Sequence, residues 1–176
     1  MSDPYQRLSK RELYRNPWLA AEAHEIVHPH GAPGEHLLIL TGRAAAVLVV
    51  EGDDFLLARQ PRFAARSWQV EVVKGGAEEH ETILDCAKRE LREELGIEAE
   101  HWRDLGIAYE IPSIVDEPVT MFAASGISHT ATEMEAVEAI ELVRIKKSDA
   151  YAAAMNGAIS DAVTLAALFR FRGDVT

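Results

Sequence analysis

The sequence predicts an α+β fold arranged as a layered sandwich. Apolar runs of strand length recur along the chain. One central stretch instead repeats its apolar residues with a helical period, and the C-terminal end reads as two helices. Strands on both sides of one helix, closed by further helices, pack as layers around a shared core.

The elements follow in order. Residues 1–17 are polar and read as a partly helical lead-in ending at Pro17. Residues 18–27 and 35–41 are apolar-rich runs around HPHGAPG, a spacer of turn-forming residues, so a hairpin with a long loop is expected. AAAVLVVE at 44–51 is a continuous apolar run. The turn Gly52-Asp53-Asp54 and the run FLLARQ at 55–60 complete a second hairpin. WQVEVV at 68–73 is another strand, and 82–95 is the central helix. Residues 105–111 and 119–125 are strands joined by a loop over Pro112–Pro118, and AIELVRI at 139–145 is one more. Residues 148–156 and 159–171 are helices, broken at Asn156-Gly157.

A hydrophobic share of 48% and a charged share of 27% are those of an ordinary globular chain. Its 176 residues suit one domain, or one domain plus a dimerisation element. We divide it into 1–43, a β element expected to dimerise, and 44–176, the main domain. The net charge of -11 repels phosphate backbones and anionic bilayers, which argues against nucleic acid and membrane partners. A small anionic substrate stays compatible if a metal ion lies between it and the acidic residues. Cys86 is the only cysteine, so an intramolecular disulfide and a cysteine-based zinc site are excluded. The first residues have no apolar core and no run reaches 18 apolar residues, so a cytoplasmic location is expected.

The chemistry concentrates in GGAEEHETILDCAKRELREELGI, residues 75–97. Leu84, Ala87, Leu91 and Leu95 form one apolar stripe, Thr82 is placed to cap the helix, and Gly96 stands where a helix ends. Glu90, Glu93 and Glu94 project to neighbouring positions on another side. Carboxylates this close repel one another unless cations sit among them, and oxygen ligands on a rigid helix suit Mg²⁺ or Mn²⁺. Glutamates on a helix are more often a solvated face. The wider pattern decides against that here.

The segment fits Gly-x5-Glu-x7-Arg-Glu-U-x-Glu-Glu-x-Gly-U, with U aliphatic. Gly75, Glu81, Arg89, Glu90, Leu91, Glu93, Glu94, Gly96 and Ile97 fill every fixed position. This resembles the Nudix box. The resemblance implies a loop–helix–loop on an α/β/α sandwich with a mixed sheet. It also implies hydrolysis of a nucleoside diphosphate linked to a further group. Glu90 and Glu94 match the family's main metal ligands, and Glu93 matches a further ligand or water-orienting carboxylate. Arg89 and Glu81 match its structural ion pair. The carbonyl of Lys74 or Gly75 is a further candidate to face a metal.

Residues outside the box resemble the ADP-ribose diphosphatase branch. Pro112 lies fifteen residues beyond Ile97, LLARQPRF matches that branch's Arg-Gln-x-Arg strand at Arg59, Gln60 and Arg62, and WQVEVVKGG matches its Trp-x-x-Glu strand at Trp68 and Glu71. Substrate contacts are therefore expected from Arg59 or Arg62, from Glu71, Pro112 and Glu117, and from Trp18. Trp18 is alternatively a dimer-interface residue, and Trp68 is expected in the core. Ile111-Pro112-Ser113, Val73-Lys74-Gly75 and Glu79-His80-Glu81 depart from the branch's usual residues and leave the ADP compound open. A catalytic base is expected from the acidic loop before 139, with Glu138 first, Glu135 second and Glu133 third. The branch pairs through its N-terminal sheet, so a homodimer using residues 18–41 is expected. GDP-mannose, another nucleotide sugar or a dinucleoside polyphosphate is the alternative substrate. A catalytically silent nucleotide sensor is the alternative of another class.

Overall fold

In the computed structural model, which describes residues 3–132 and 139–173, alternation of side chains decides the layers. Strand β4 (Ala44–Glu51) points Ala46 and Leu48 to one face and Val47 and Val49 to the other, and all four are buried. Strand β5 (Asp54–Arg62) does the same with Phe55 and Leu57 against Leu56 and Ala58. A strand covered on both faces reads as an unbroken apolar run, which is why AAAVLVVE lacks the polar alternation of a surface strand.

These strands centre a mixed sheet that also contains β8 (Ile97–Ala108), β10 (Val119–His129) and β11 (Glu141–Lys146), in the order β11-β5-β4-β10-β8. β6 (Ser67–Glu71) pairs with β5, and β7 (Val73–Gly76) pairs with β4. β4 and β10 run parallel, with Ala44 opposite Val119, and the other pairs in this sheet are antiparallel. One face buries Cys86, Ala87, Leu91 and Leu95 of α1 (Ile83–Leu95). The other packs Ala150 of α2 (Lys147–Asn156) and Val163, Ala167 and Leu168 of α3 (Ala162–Gly173). Each fully buried Leu or Phe contributes roughly 1.5–3 kcal/mol, so the α/β/α layering rests on these two clusters.

The chain divides into two compact units, 43–108 with 119–176, and 1–42 with 109–118. In the second of these, β1 (Gln6–Arg15), β2 (Ala20–Val27), β3 (Pro33–Leu40) and β9 (Val115–Asp116) form a four-stranded sheet in that order. The expected hairpin is β2–β3, with Ala20 opposite Leu40 and Val27 opposite Pro33. The lead-in is not helical. Residues 6–15 pair along β2, where Ser9 bonds to Glu25 and Lys10 to the buried Glu22 at 2.7 and 2.8 Å. Residues 109–118 are more than a connecting loop. They supply β9, which pairs in parallel with β3.

Candidate active site

Helix α1 carries the site, and local chemistry fixes both of its ends. Thr82 Oγ1 accepts the Asp85 amide at 3.1 Å, offsetting one orphan donor of the first turn. Gly96 ends the helix at φ 61°, in the left-handed region, and its amide reaches the Arg92 and Leu91 carbonyls. The apolar stripe on the sheet sets the rotation of the helix. Glu90 and Glu93 are thereby left partly exposed, while Glu94 is only 7% exposed.

Arg89 gathers the carboxylates. Its Nε and Nη2 donate to the two oxygens of Glu81 at 3.0 and 3.1 Å, and Nη2 also reaches the Gly76 carbonyl at 2.9 Å. Nη1 donates to Glu90 at 2.7 Å and to Glu93 at 2.9 Å. These bonds push the guanidinium above its ordinary range, and the same pairing holds the Glu81 carboxyl below its own. The expected Arg89–Glu81 pair is therefore present, and it also braces two of the expected metal ligands.

Gly75 explains its own place in the pattern. A Cβ there would run into the Glu90 carboxylate, so only glycine lets that carboxylate lie against the β7 backbone. The Gly75 carbonyl also accepts the Cys86 thiol at 3.5 Å. Burial raises that thiol to about 12, so Cys86 is a packing residue rather than a nucleophile.

Whether this donor set fits a divalent cation follows from its chemistry. Glu81, Glu90 and Glu93 bring three carboxylates to the guanidinium of Arg89, and Glu94 adds a buried fourth on the same helix. Among the described residues no three His, Cys, Asp or Glu side chains converge in ligand geometry, and Arg89 bonds to both Glu90 and Glu93. Hard oxygen donors in excess over cationic partners, set beside an open glycine backbone, fit Mg²⁺ or Mn²⁺.

The other expected residues fall in three places. Arg62 grips the buried Glu71 through both carboxylate oxygens, with bonds of 2.7, 3.0 and 3.2 Å. Arg59 bonds to Glu141 at 2.7 Å and stacks 4.3 Å from the centre of the Trp68 ring. Trp68 is 46% exposed and so not a core residue. It stands opposite Pro61 near the end of its hairpin, where Arg59 covers one face of the ring. Trp18, 78% exposed, and Pro112 and Glu117 belong to the N-terminal unit. There Pro112 lines a cavity of about 300 Å³ together with Tyr5, Arg7, His24, His36 and Leu38. Glu133, Glu135 and Glu138 lie outside the described residues.

The sequence reading passed over Asp161 and Thr164. The Lys74 ammonium bonds to Asp161 at 2.7 Å, and Asp161 accepts both the amide and the hydroxyl of Thr164, at 2.8 and 2.6 Å. Asp161 and Thr164 have the three-residue spacing of a helix N-cap, which is a visible signal, but nothing local connects it to Lys74.

The family model for the NUDIX domain matches residues 40–152, more than half of the chain and the whole of α1. The chain belongs to the NUDIX family. Hydrolases of this family generally use divalent metals such as Mg²⁺. Among curated proteins it is 34% identical over 88 residues to the NAD-capped RNA hydrolase NudC of Pseudomonas aeruginosa, covering 50% of this chain and 31% of that one. It is 44% identical over 52 residues to the NAD-capped RNA hydrolase NudC of Stutzerimonas stutzeri, covering 30% and 18%. The Nudix chain thus spans under a third of the length of these relatives. A solved structure described as an ADP compounds hydrolase superposes with a TM-score of 0.84 at 19% identity, over 96% of this chain and 92% of that one, which shows a shared fold.

Proposed function

We propose that this Nudix hydrolase cleaves the diphosphate of a nucleoside diphosphate linked to a further group. ADP-ribose or a related ADP compound is the favoured substrate, giving AMP and a phosphorylated remainder. The observation that carries the reading is the Arg89 clamp, which holds Glu81, Glu90 and Glu93 together beside the Gly75–Gly76 backbone. A catalytically silent sensor has no need of so many braced carboxylates.

Glu90 and Glu94 are the metal ligands in this proposal, with Glu93 and the Lys74 or Gly75 carbonyl completing the set. Bound Mg²⁺ or Mn²⁺ supplies charge neutralisation on the diphosphate oxygens and lowers the pKa of water. Glu138, and after it Glu135, takes the proton from the attacking water. Arg59 is the phosphate-binding arginine of the two, because its partner Glu141 is 57% exposed at the side chain, so the pair exchanges readily, whereas the partner of Arg62 is buried. Arg62 is committed to Glu71, and Glu71 acts on substrate through it. Pro112, Glu117 and Trp18 complete the substrate contacts. The test is a panel of ADP-ribose, NAD, GDP-mannose and dinucleoside polyphosphates, with release of AMP, GMP and phosphate read with Mg²⁺ and with excess chelator. Turnover that survives chelation would sink the metal reading. Glu138→Gln is expected to lower kcat with little change in KM, and Arg59→Ala to raise KM. Equal kcat for Glu138→Gln and wild type moves the base to Glu135.

A second reading has one observation in its favour. The relatives described above are NAD-capped RNA hydrolases. NAD contains the same kind of diphosphate, and the net charge of -11 favours the small molecule over an RNA chain. The NAD arm of the panel decides this.

The enzyme is further proposed to be a cytoplasmic homodimer pairing through residues 18–41. Among the described residues no helix is long and apolar enough to cross a membrane. Leu8, Leu13, Tyr14, Trp18 and Leu37 are exposed on or beside the N-terminal sheet, apolar surface that a second copy would cover. Light scattering at micromolar concentration is expected to give twice 19.4 kDa, and a mass near 19.4 kDa would rule the dimer out.

A further inference from the structure

The short strand β7 supports the carboxylate site, because Gly75 lies against Glu90 and the Gly76 carbonyl holds Arg89. What fixes β7 comes from the far end of the chain. Asp161, which caps α3, takes the Lys74 ammonium at 2.7 Å. Thr164, bonded to that same carboxylate, accepts the Val72 amide at 2.9 Å. The backbone is therefore tied at 72 and again at 74, on either side of Val73. Lys74 also lies 3.6 Å from Glu71, the residue that Arg62 grips. The side chains of Lys74 and Asp161 are only 14% and 10% exposed. Burial alone would raise the Asp161 carboxyl, but Lys74 and Thr164 together hold it below the ordinary carboxylate range.

Charge alone does not make such a pair a source of stability, since desolvating two charges often cancels their attraction. What an ion pair adds is direction. With one oxygen of Asp161 on Lys74 and the other on Thr164, the carboxylate is held from two sides and the ammonium is drawn to a defined position beside β7. We propose that Asp161 is a positioning residue of the hydrolase: acting through Lys74, it sets the Lys74–Gly76 backbone against Glu90 in the carboxylate cluster of α1, and so governs metal affinity and turnover without touching substrate. This rests on reading those carboxylates as the divalent-cation site.

Asp161→Asn tests it. Asparagine still accepts the Thr164 amide as a helix cap, but it removes the charge opposite Lys74. Mn²⁺ binding is read by electron paramagnetic resonance titration, alongside kcat, KM and a metal-free thermal melt. The Mn²⁺ Kd is expected to rise about tenfold, the scale on which groups that orient metal ligands act. The kcat is expected to fall with KM unchanged, and the melt to fall, because the Lys74 ammonium is left without Asp161 where the two side chains are only 14% and 10% exposed. Should Asp161→Asn not fold, the double variant Lys74→Met with Asp161→Leu keeps the volume, and the same weakening of Mn²⁺ is expected. Thr164→Val, which removes the tie at Val72 but leaves the Lys74–Asp161 pair in place, is expected to lose stability and to weaken Mn²⁺ less than Asp161→Asn does; a greater weakening than in Asp161→Asn overturns the assignment to Asp161. A wild-type Mn²⁺ Kd in Asp161→Asn, or in the double variant, overturns the proposal while the metal site stands. Wild-type protein that binds no Mn²⁺ brings down the metal site and the proposal with it.

Discussion

Glu94→Gln is expected to lower kcat on the order of 10²–10³ while leaving the fold intact. Glutamine keeps the shape and removes one negative charge from the place where the diphosphate must be neutralised. Glu94 is 7% exposed, so no solvent ion readily replaces that charge. Glu94 and Asp161 also both add to the field that stabilises the charge of Arg62, after Glu71. The measurement is kcat at saturating Mg²⁺ with a thermal melt as control. Wild-type kcat in a folded variant would remove Glu94 from the metal set.

Arg89→Met is expected to destabilise the apo protein by about 2 kcal/mol, read as a shift in urea midpoint. Removing one partner of a fully buried pair costs roughly 3–5 kcal/mol. Here the side chains involved are 14–29% exposed, which screens the loss. Without the guanidinium, Glu81, Glu90 and Glu93 repel one another, so Mg²⁺ is expected to recover part of the midpoint. Acid should narrow the gap between variant and wild type. The folded pKa of Glu81 lies below its ordinary value of 4.5 because Arg89 bonds to it. Its contribution is therefore fully present above that value and drains away as pH falls through the folded pKa. A gap that stayed constant from pH 6 to pH 3 would show that the clamp carries no charge-dependent stability.

The site was legible where its determinants are local. Thr82, the apolar stripe, Gly96 and the Arg89–Glu81 spacing all lie within one stretch, and each sits as its spacing requires. The central hairpin was legible because burial on both faces forces an unbroken apolar run. Strand β1 was not, because all its residues are exposed and its order comes from pairing with β2 rather than from its own pattern. Trp68 misled because large aromatics are usually buried, and only the register of the β5–β6 hairpin shows that Arg59 is its cover. Asp161 escaped notice for the same reason as β1. Its partner Lys74 is distant in sequence, and an N-cap explains the residue adequately until the fold brings the two together.

The parallel pairing of β4 with β10 has a consequence for biosynthesis. Ala44 is matched to Val119, and everything between them, α1 included, leaves the ribosome first. Until β10 is made, the α1 face of the sheet lacks Phe122 and Ala124, and until α3 is made, Lys74 lacks Asp161. Non-local contacts of this kind are slow to close, because the chain entropy is lost before the pairing returns it. The glutamates of α1 are thus translated early and take their working places late, so a nascent chain stalled before β10 would carry the complete box sequence with an unfinished site.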